Sequence, residues 1–134
     1  MEDQPTVLVV EDDKQLLNAI TIKLSKEGIS GIGVLTGEQG LKYLQESGPK
    51  LPNAIWLDYY LKDMNGLEFM QKIQTQPAWT EIPVIVVSNS ASEDKVHSML
   101  TIGAKKYILK AQSRLEDIID QIKDLIAQSP VPSS

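Results

Sequence analysis

The chain has 134 residues, 42% of them hydrophobic and 23% charged, which fits one globular domain large enough to fold without staples. It holds no cysteine and one histidine, His97, excluding disulfide scaffolds, thiol nucleophiles, thiolate metal sites and multi-histidine metal centres. A net charge of −5, no apolar run near membrane-spanning length and no signal-peptide pattern lead to the expectation of a cytoplasmic protein, with no direct nucleic-acid binding and no membrane insertion.

Thr6–Val10 is a β-branched run, predicted as a buried strand. From Asp13 the period changes: Leu16, Leu17, Ile20 and Leu24 share one helical face, and Gly28 can end the helix. Ile29–Leu35 predicts a weaker strand, interrupted by Gly31 and Gly33. Thr36 and Gln39 have the spacing of a capping box, opening a helix that ends near Gly48 and Pro49. Asn53–Asp58 is the third predicted strand. Asn65 and Glu68 open a helix with Leu67, Met70 and Ile73 inward, and Pro77 closes that segment. Ile82–Val87 is the plainest buried strand. Ser90 and Glu93 predict a second capping box, for a helix that stops at Gly103. Lys106–Leu109 is a short fifth strand. Ser113 and Glu116 predict a third box, before the stripe Leu115, Ile118, Ile119, Ile122, Leu125 and Ile126. Residues 129–134 are expected to be a disordered tail, leaving 1–128 as the domain.

Five βα units with apolar strands imply an α/β fold whose parallel sheet is covered on both faces. Ligands of such sheets bind beyond the carboxyl ends of the strands. There the chain puts Glu11, Asp12 and Asp13 after strand one, Asp58 after strand three, Ser88 after strand four and Lys110 after strand five. Carboxylates converging on one rim repel each other unless a cation or a proton intervenes. Hard oxygen donors in small number suit Mg2+, which keeps several waters. One carboxylate can then act as nucleophile toward a phosphoryl group, with Ser88 donating to the new phosphate oxygens and Lys110 supplying a fixed positive charge.

The segments VLVVEDD (Val7–Asp13), WLDYYLKDMNG (Trp56–Gly66), PVIVVS (Pro83–Ser88) and GAKKYILK (Gly103–Lys110), in this order, resemble the response-regulator receiver domain of two-component signalling. The resemblance covers residues 5–127. It implies a (βα)5 doubly wound sheet in the order 2-1-3-4-5, the flavodoxin-like and CheY-like arrangement. It also implies Asp58 as phospho-acceptor, with Mg2+ held by Glu11, Asp12, Asp58 and the Tyr60 backbone carbonyl. Ser88 then matches the switch hydroxyl, Lys110 the lysine that pairs with the phosphoryl group, and Tyr107 the switching aromatic. The implied phosphodonor is a sensor histidine kinase or a histidine phosphotransfer protein. The implied output is a downstream protein effector, engaged by the helix four, strand five and helix five face over 90–128. Since the chain stops just after its fifth helix, the expectation is a stand-alone switch that assists its own phosphorylation and dephosphorylation, not a turnover enzyme.

Three positions depart from the family pattern. Lys62 stands where a proline often precedes Asp63, Asn89 where a small residue usually follows the switch hydroxyl, and Ala111 where a proline usually follows the lysine. Asn89 is expected to narrow access to the acceptor. A cis bond before a non-proline residue costs about 3–4 kcal/mol, so the Lys110–Ala111 bond is expected to be trans, with Lys110 aimed differently. Two rival functions follow: a receiver-like adaptor that works without phosphorylation, and a magnesium-dependent phosphohydrolase. The second is weakened because Glu11, Asp12 and Asp13 do not supply the expected DxD motif. An FMN binder is disfavoured, because three carboxylates after strand one repel a phosphate. His97 is expected to be a surface helix residue. Trp79 is expected either to pack or to form a contact.

Overall fold

The computed structural model describes residues 4–128, so the predicted tail at 129–134 lies outside the described residues. The elements run β1 (Thr6–Val10), α1 (Lys14–Lys26), β2 (Ser30–Val34), α2 (Gly37–Glu46), β3 (Ala54–Asp58), α3 (Gly66–Ile73), β4 (Val84–Ser88), α4 (Glu93–Thr101), β5 (Lys106–Leu109) and α5 (Leu115–Gln128). Short 3-10 turns at Trp79–Glu81 and Lys110–Gln112 complete the set. All strand pairs are parallel, in the order β2-β1-β3-β4-β5. This is the (βα)5 doubly wound fold expected from the alternating pattern and the resemblance. No helix among the described residues is long and apolar enough to cross a membrane.

The two faces of the sheet are separate cores, because side chains alternate along each strand. Val7, Val9, Trp56, Ile85 and Val87 pack against Ile20 and Leu24 of α1 and against Ile118, Ile119 and Ile122 of α5. Leu8, Val10, Ile55, Leu57, Val84 and Val86 pack against Leu44 of α2, Phe69, Met70 and Ile73 of α3 and Met99 of α4. Phe69 is fully buried, whereas Leu67, predicted inward, is only half-buried. Trp79 packs into the second of these cores, and His97 is exposed on α4.

The weak second strand has a packing reason. A Cβ on Gly33 would lie 2.9 Å from Leu17 Cδ1, so glycine lets α1 approach β2 closely and does not interrupt the strand. Gly28, at φ +78, turns the chain at the end of α1, as predicted.

The helix starts follow the capping chemistry in part. Asn65 and Glu68 form the full capping box of α3. Thr36 caps α2 through Gln39 N–H, but the Gln39 side chain accepts from Leu35 N–H instead of completing the box. The box predicted at Ser90 is displaced: Ser92 is the cap of α4, accepting from Lys95 N–H at 3.2 Å, and Glu93 is already helical. The start predicted at Ser113 is displaced too, since α5 begins at Leu115 and its first turn closes on the Arg114 carbonyl, which accepts from Asp117 and Ile118.

Candidate functional site

The carboxyl end of β1 delivers Glu11 into the interior. Its backbone N–H donates to Val34 O at 3.1 Å, which prolongs the β1–β2 ladder by one residue. Glu11 is 0% exposed, an unusual position for a carboxylate. By strand alternation Glu11 continues the phase of Val7 and Val9, and Asp58 that of Ala54 and Trp56, so both carboxylates lean to the α1 and α5 side of the sheet. Asp58, the last residue of β3, is 5% exposed. Asp12 is half-buried beside them. Glu11, Asp12 and Asp58 each offer a carboxylate oxygen, and these oxygens all lie within 4.8 Å of one another. Asp13 serves helix α1 instead, its Oδ1 accepting from Gln15 N–H at 3.0 Å and Leu16 N–H at 3.1 Å.

Lys110 enters the cluster from the end of β5. Its Nζ lies 3.0 Å from Glu11 Oε1 and 3.5 Å from Asp58 Oδ2. The Lys110–Ala111 bond is trans, as expected; no cis peptide occurs among the described residues. The expected re-aiming of Lys110 is not seen, because the 3-10 turn that follows β5 brings its ammonium to both carboxylates. Of the other departures, Lys62 and Asn89 are both exposed.

The electrostatics follow from burial. Desolvation, the Glu11 charge and, to a smaller degree, Asp12 push the Asp58 carboxyl up to about 7, with Lys110 opposing them. Burial lowers the tendency of Lys110 to hold its proton, but Glu11 and Asp58 outweigh it, so its pKa is raised. One lysine thus faces three carboxylates. Glu11 Oε1 is buried and faces the Lys110 ammonium at 3.0 Å, while Oε2 accepts from Asp13 N–H at 3.1 Å. A wholly buried carboxylate, two further carboxylates beside it and a surplus of negative charge over one lysine make a donor set that suits a hard divalent cation.

The loop after β3 is tightly folded. Gly66 N–H donates to Tyr59 O at 2.7 Å and Leu61 N–H to Met64 O at 3.1 Å, forming an isolated antiparallel bridge between Tyr60 and Asn65. The flanking residues supply both bonds, so the Tyr60 carbonyl stays outside the pair. Asp63 pins this loop to α2: Oδ1 accepts Gly37 N–H and Oδ2 accepts Glu38 N–H, each at 2.9 Å. Burial raises the Asp63 carboxyl, but the Glu38 and Gly37 amides outweigh it and hold it below its ordinary value. No local sequence signal marks this role of Asp63, because the amides it binds lie 26 and 25 residues earlier in the chain.

Ser88 ends β4 fully buried, and its Oγ accepts Ser90 N–H at 3.3 Å. Tyr107 is half-buried on β5 and its hydroxyl donates to Ser90 O at 2.8 Å. The structure therefore gathers Glu11, Asp12, Asp58 and Lys110 into one cluster, and links Ser88 to Tyr107 through the Ser90 main chain.

A family model described as the response regulator receiver domain matches residues 7–123. The transcriptional regulatory protein KdpE of Mycobacterium tuberculosis is 34% identical over 105 residues, covering 78% of this chain and 43% of that protein. The chain spans about half the length of the transcriptional regulators it matches. Among solved structures, a CheY-like receiver domain protein from Methanospirillum hungatei superposes with TM-score 0.84 at 26% identity, covering 95% of this chain and 97% of that one. The phosphorylated cyanobacterial phytochrome response regulator RcpA superposes with TM-score 0.80 at 25% identity, covering 96% and 98%. The match to the family model over most of the chain, together with the sheet order and the acidic rim, establishes that the chain belongs to the response regulator receiver domain family.

Proposed function

We propose that the chain is a phosphorylation-operated switch in which Asp58 receives a phosphoryl group from the phosphohistidine of a sensor histidine kinase or a histidine phosphotransfer protein. The observation that carries this reading is the convergence of Glu11, Asp12 and Asp58 oxygens within 4.8 Å, with Lys110 Nζ against Asp58 Oδ2. Mg2+ is the cation we assign to Glu11, Asp12, Asp58 and the Tyr60 carbonyl, and when bound it would neutralise charge on the transferring phosphoryl group. An Asp58 carboxylate oxygen attacks phosphorus, forming an O–P bond. The P–N bond of the phosphohistidine breaks, and the imidazole nitrogen leaves with the electron pair. Lys110 offers its ammonium to the phosphoryl oxygens from a position already beside Asp58. Ser88 turns its hydroxyl from Ser90 N–H toward them, which changes the restraint on the β4–α4 loop. The output is read by a downstream protein effector on the α4, β5 and α5 face. A solved relative is itself named as phosphorylated, which supports the assignment by analogy.

Intact mass spectrometry after incubation with acetyl phosphate and Mg2+ tests the reading. The wild type is expected to gain one phosphoryl group; Asp58→Asn and a magnesium-free control are not. An unmodified wild type with Mg2+ binding demonstrated, and with no transfer from a phosphorylated cognate kinase, would instead favour the adaptor that works without phosphorylation.

A further inference from the structure

Lys95, in the first turn of α4, reaches across to the residues that follow Asp58. Its Nζ lies 4.6 Å from the Tyr60 ring centroid and 5.5 Å from that of Tyr59. The two rings meet edge to face, 4.9 Å apart at 72°. Tyr59 is buried and its ring lies 6.4 Å from that of Tyr107, whereas Tyr60 is 46% exposed. An exposed tyrosine at the rim is free to rotate unless something holds it, and here the ammonium holds it from a different element. Lys95 is itself anchored, since its N–H donates to the capping hydroxyl of Ser92.

Tyr60 has two separate attachments. The peptide plane that carries its carbonyl is held by Leu61 N–H donating to Met64 O at 3.1 Å, while its side chain is bound to α4. We infer that Lys95 is a positioning residue for the cation site, holding the Tyr60 ring from α4 and so adding to the hold that the Leu61–Met64 bond has on the Tyr60 carbonyl, and thereby coupling cation occupancy to the first turn of α4. This inference rests on the Mg2+ reading above. Linkage makes the coupling reciprocal: whatever the clamp contributes to cation affinity, the cation contributes to the clamp. The contact is a partly exposed cation–π pair, so the effect is about 2- to 5-fold in affinity.

The test is calorimetric titration with Mg2+ of the wild type, Lys95→Met, Lys95→Arg, Tyr60→Leu and the double variant Lys95→Met with Tyr60→Leu, each shown to be folded by circular dichroism. NMR of the Lys95 ε-methylene protons accompanies it, because aromatic rings shift them upfield. Lys95→Met is expected to weaken Mg2+ about 2- to 5-fold, and Tyr60→Leu similarly. Lys95→Arg, which keeps the cation, is expected to bind as the wild type does. The double variant should be no weaker than the worse single one, and the Lys95 resonance should move on Mg2+ saturation. Wild-type affinity in Lys95→Met, failure of Lys95→Arg to restore it, or additive losses overturn the clamp alone. Flat isotherms in every protein, with the upfield Lys95 resonance intact, overturn the Mg2+ reading and the coupling with it.

Discussion

The Lys110 ammonium lies 3.0 Å from Glu11 Oε1, and that carboxylate is wholly buried. Breaking a buried ion pair by removing one partner is costly, because the other charge stays behind without compensation. Lys110→Met is therefore expected to destabilise the protein by about 2–4 kcal/mol in a chelating buffer. A divalent cation replaces the missing positive charge, so the loss should shrink when Mg2+ is added. Urea unfolding with and without Mg2+ checks this; an equal loss in both buffers would mean that Lys110 acts by packing alone.

The raised pKa of Asp58 gives stability a direction with pH. Its folded value, about 7, lies above the ordinary 3.8, so between these values the folded state binds more protons than the unfolded one. In cation-free buffer this contribution is largest below about pH 4 and is lost as pH rises toward 7. The loss amounts to roughly 2–4 kcal/mol. Asp58→Asn cannot ionise, so it should flatten this slope and be more stable than wild type at pH 8. Melting curves of both proteins from pH 4 to 8 in chelator measure the two effects. A wild-type stability that falls no more steeply with pH than that of Asp58→Asn would contradict the assignment.

How much of this was legible beforehand depends on range. Short apolar, β-branched runs and the shift to helical period placed every strand and helix, because both signals are local. The rim residues were legible because a parallel sheet sends all strand ends to one edge. The second glycine-bearing strand was underrated, since Gly33 answers to Leu17 on α1 and not to its own neighbours. The α4 start was misplaced at Ser90 because that residue's N–H and C=O are taken by Ser88 and Tyr107, leaving Ser92 to cap. The contacts of Asp63 and Lys95 leave no local sequence signal for the same physical reason: each side chain acts on an element distant in sequence.

Asp63 carries a clear mutational cost. Its carboxylate satisfies two of the free amides at the start of α2. Asp63→Ala is expected to cost about 1–2 kcal/mol, and Asp63→Asn less, since one amide oxygen remains to accept. Close by, a Cβ on Gly37 would fall 2.5 Å from Met64 Sδ, so Gly37→Ala forces Met64 aside. Combining Gly37→Ala with Met64→Ala should recover part of the loss, which chemical denaturation of the single and double variants reads directly.

The link between Ser88 and Tyr107 predicts coupling of a specific kind. Both hydroxyls bind the main chain of Ser90, one through its N–H and one through its C=O. Ser88→Ala leaves the Ser90 amide without that acceptor and loosens the loop that Tyr107 holds from the other side. Tyr107→Phe does the converse, and because its bond is partly exposed the cost is about 0.5–1.5 kcal/mol. If the loop is held only when both bonds are made, the second removal costs less than the first. The double-mutant cycle should then show a coupling of about 0.5–1 kcal/mol. Hydrogen exchange supplies an independent measure, with the amides of residues 89–92 exchanging faster in each single variant and scarcely faster still in the double. Strict additivity in both measurements would separate the two hydroxyls and remove Ser90 as the connection through which movement of Ser88 reaches Tyr107 on β5.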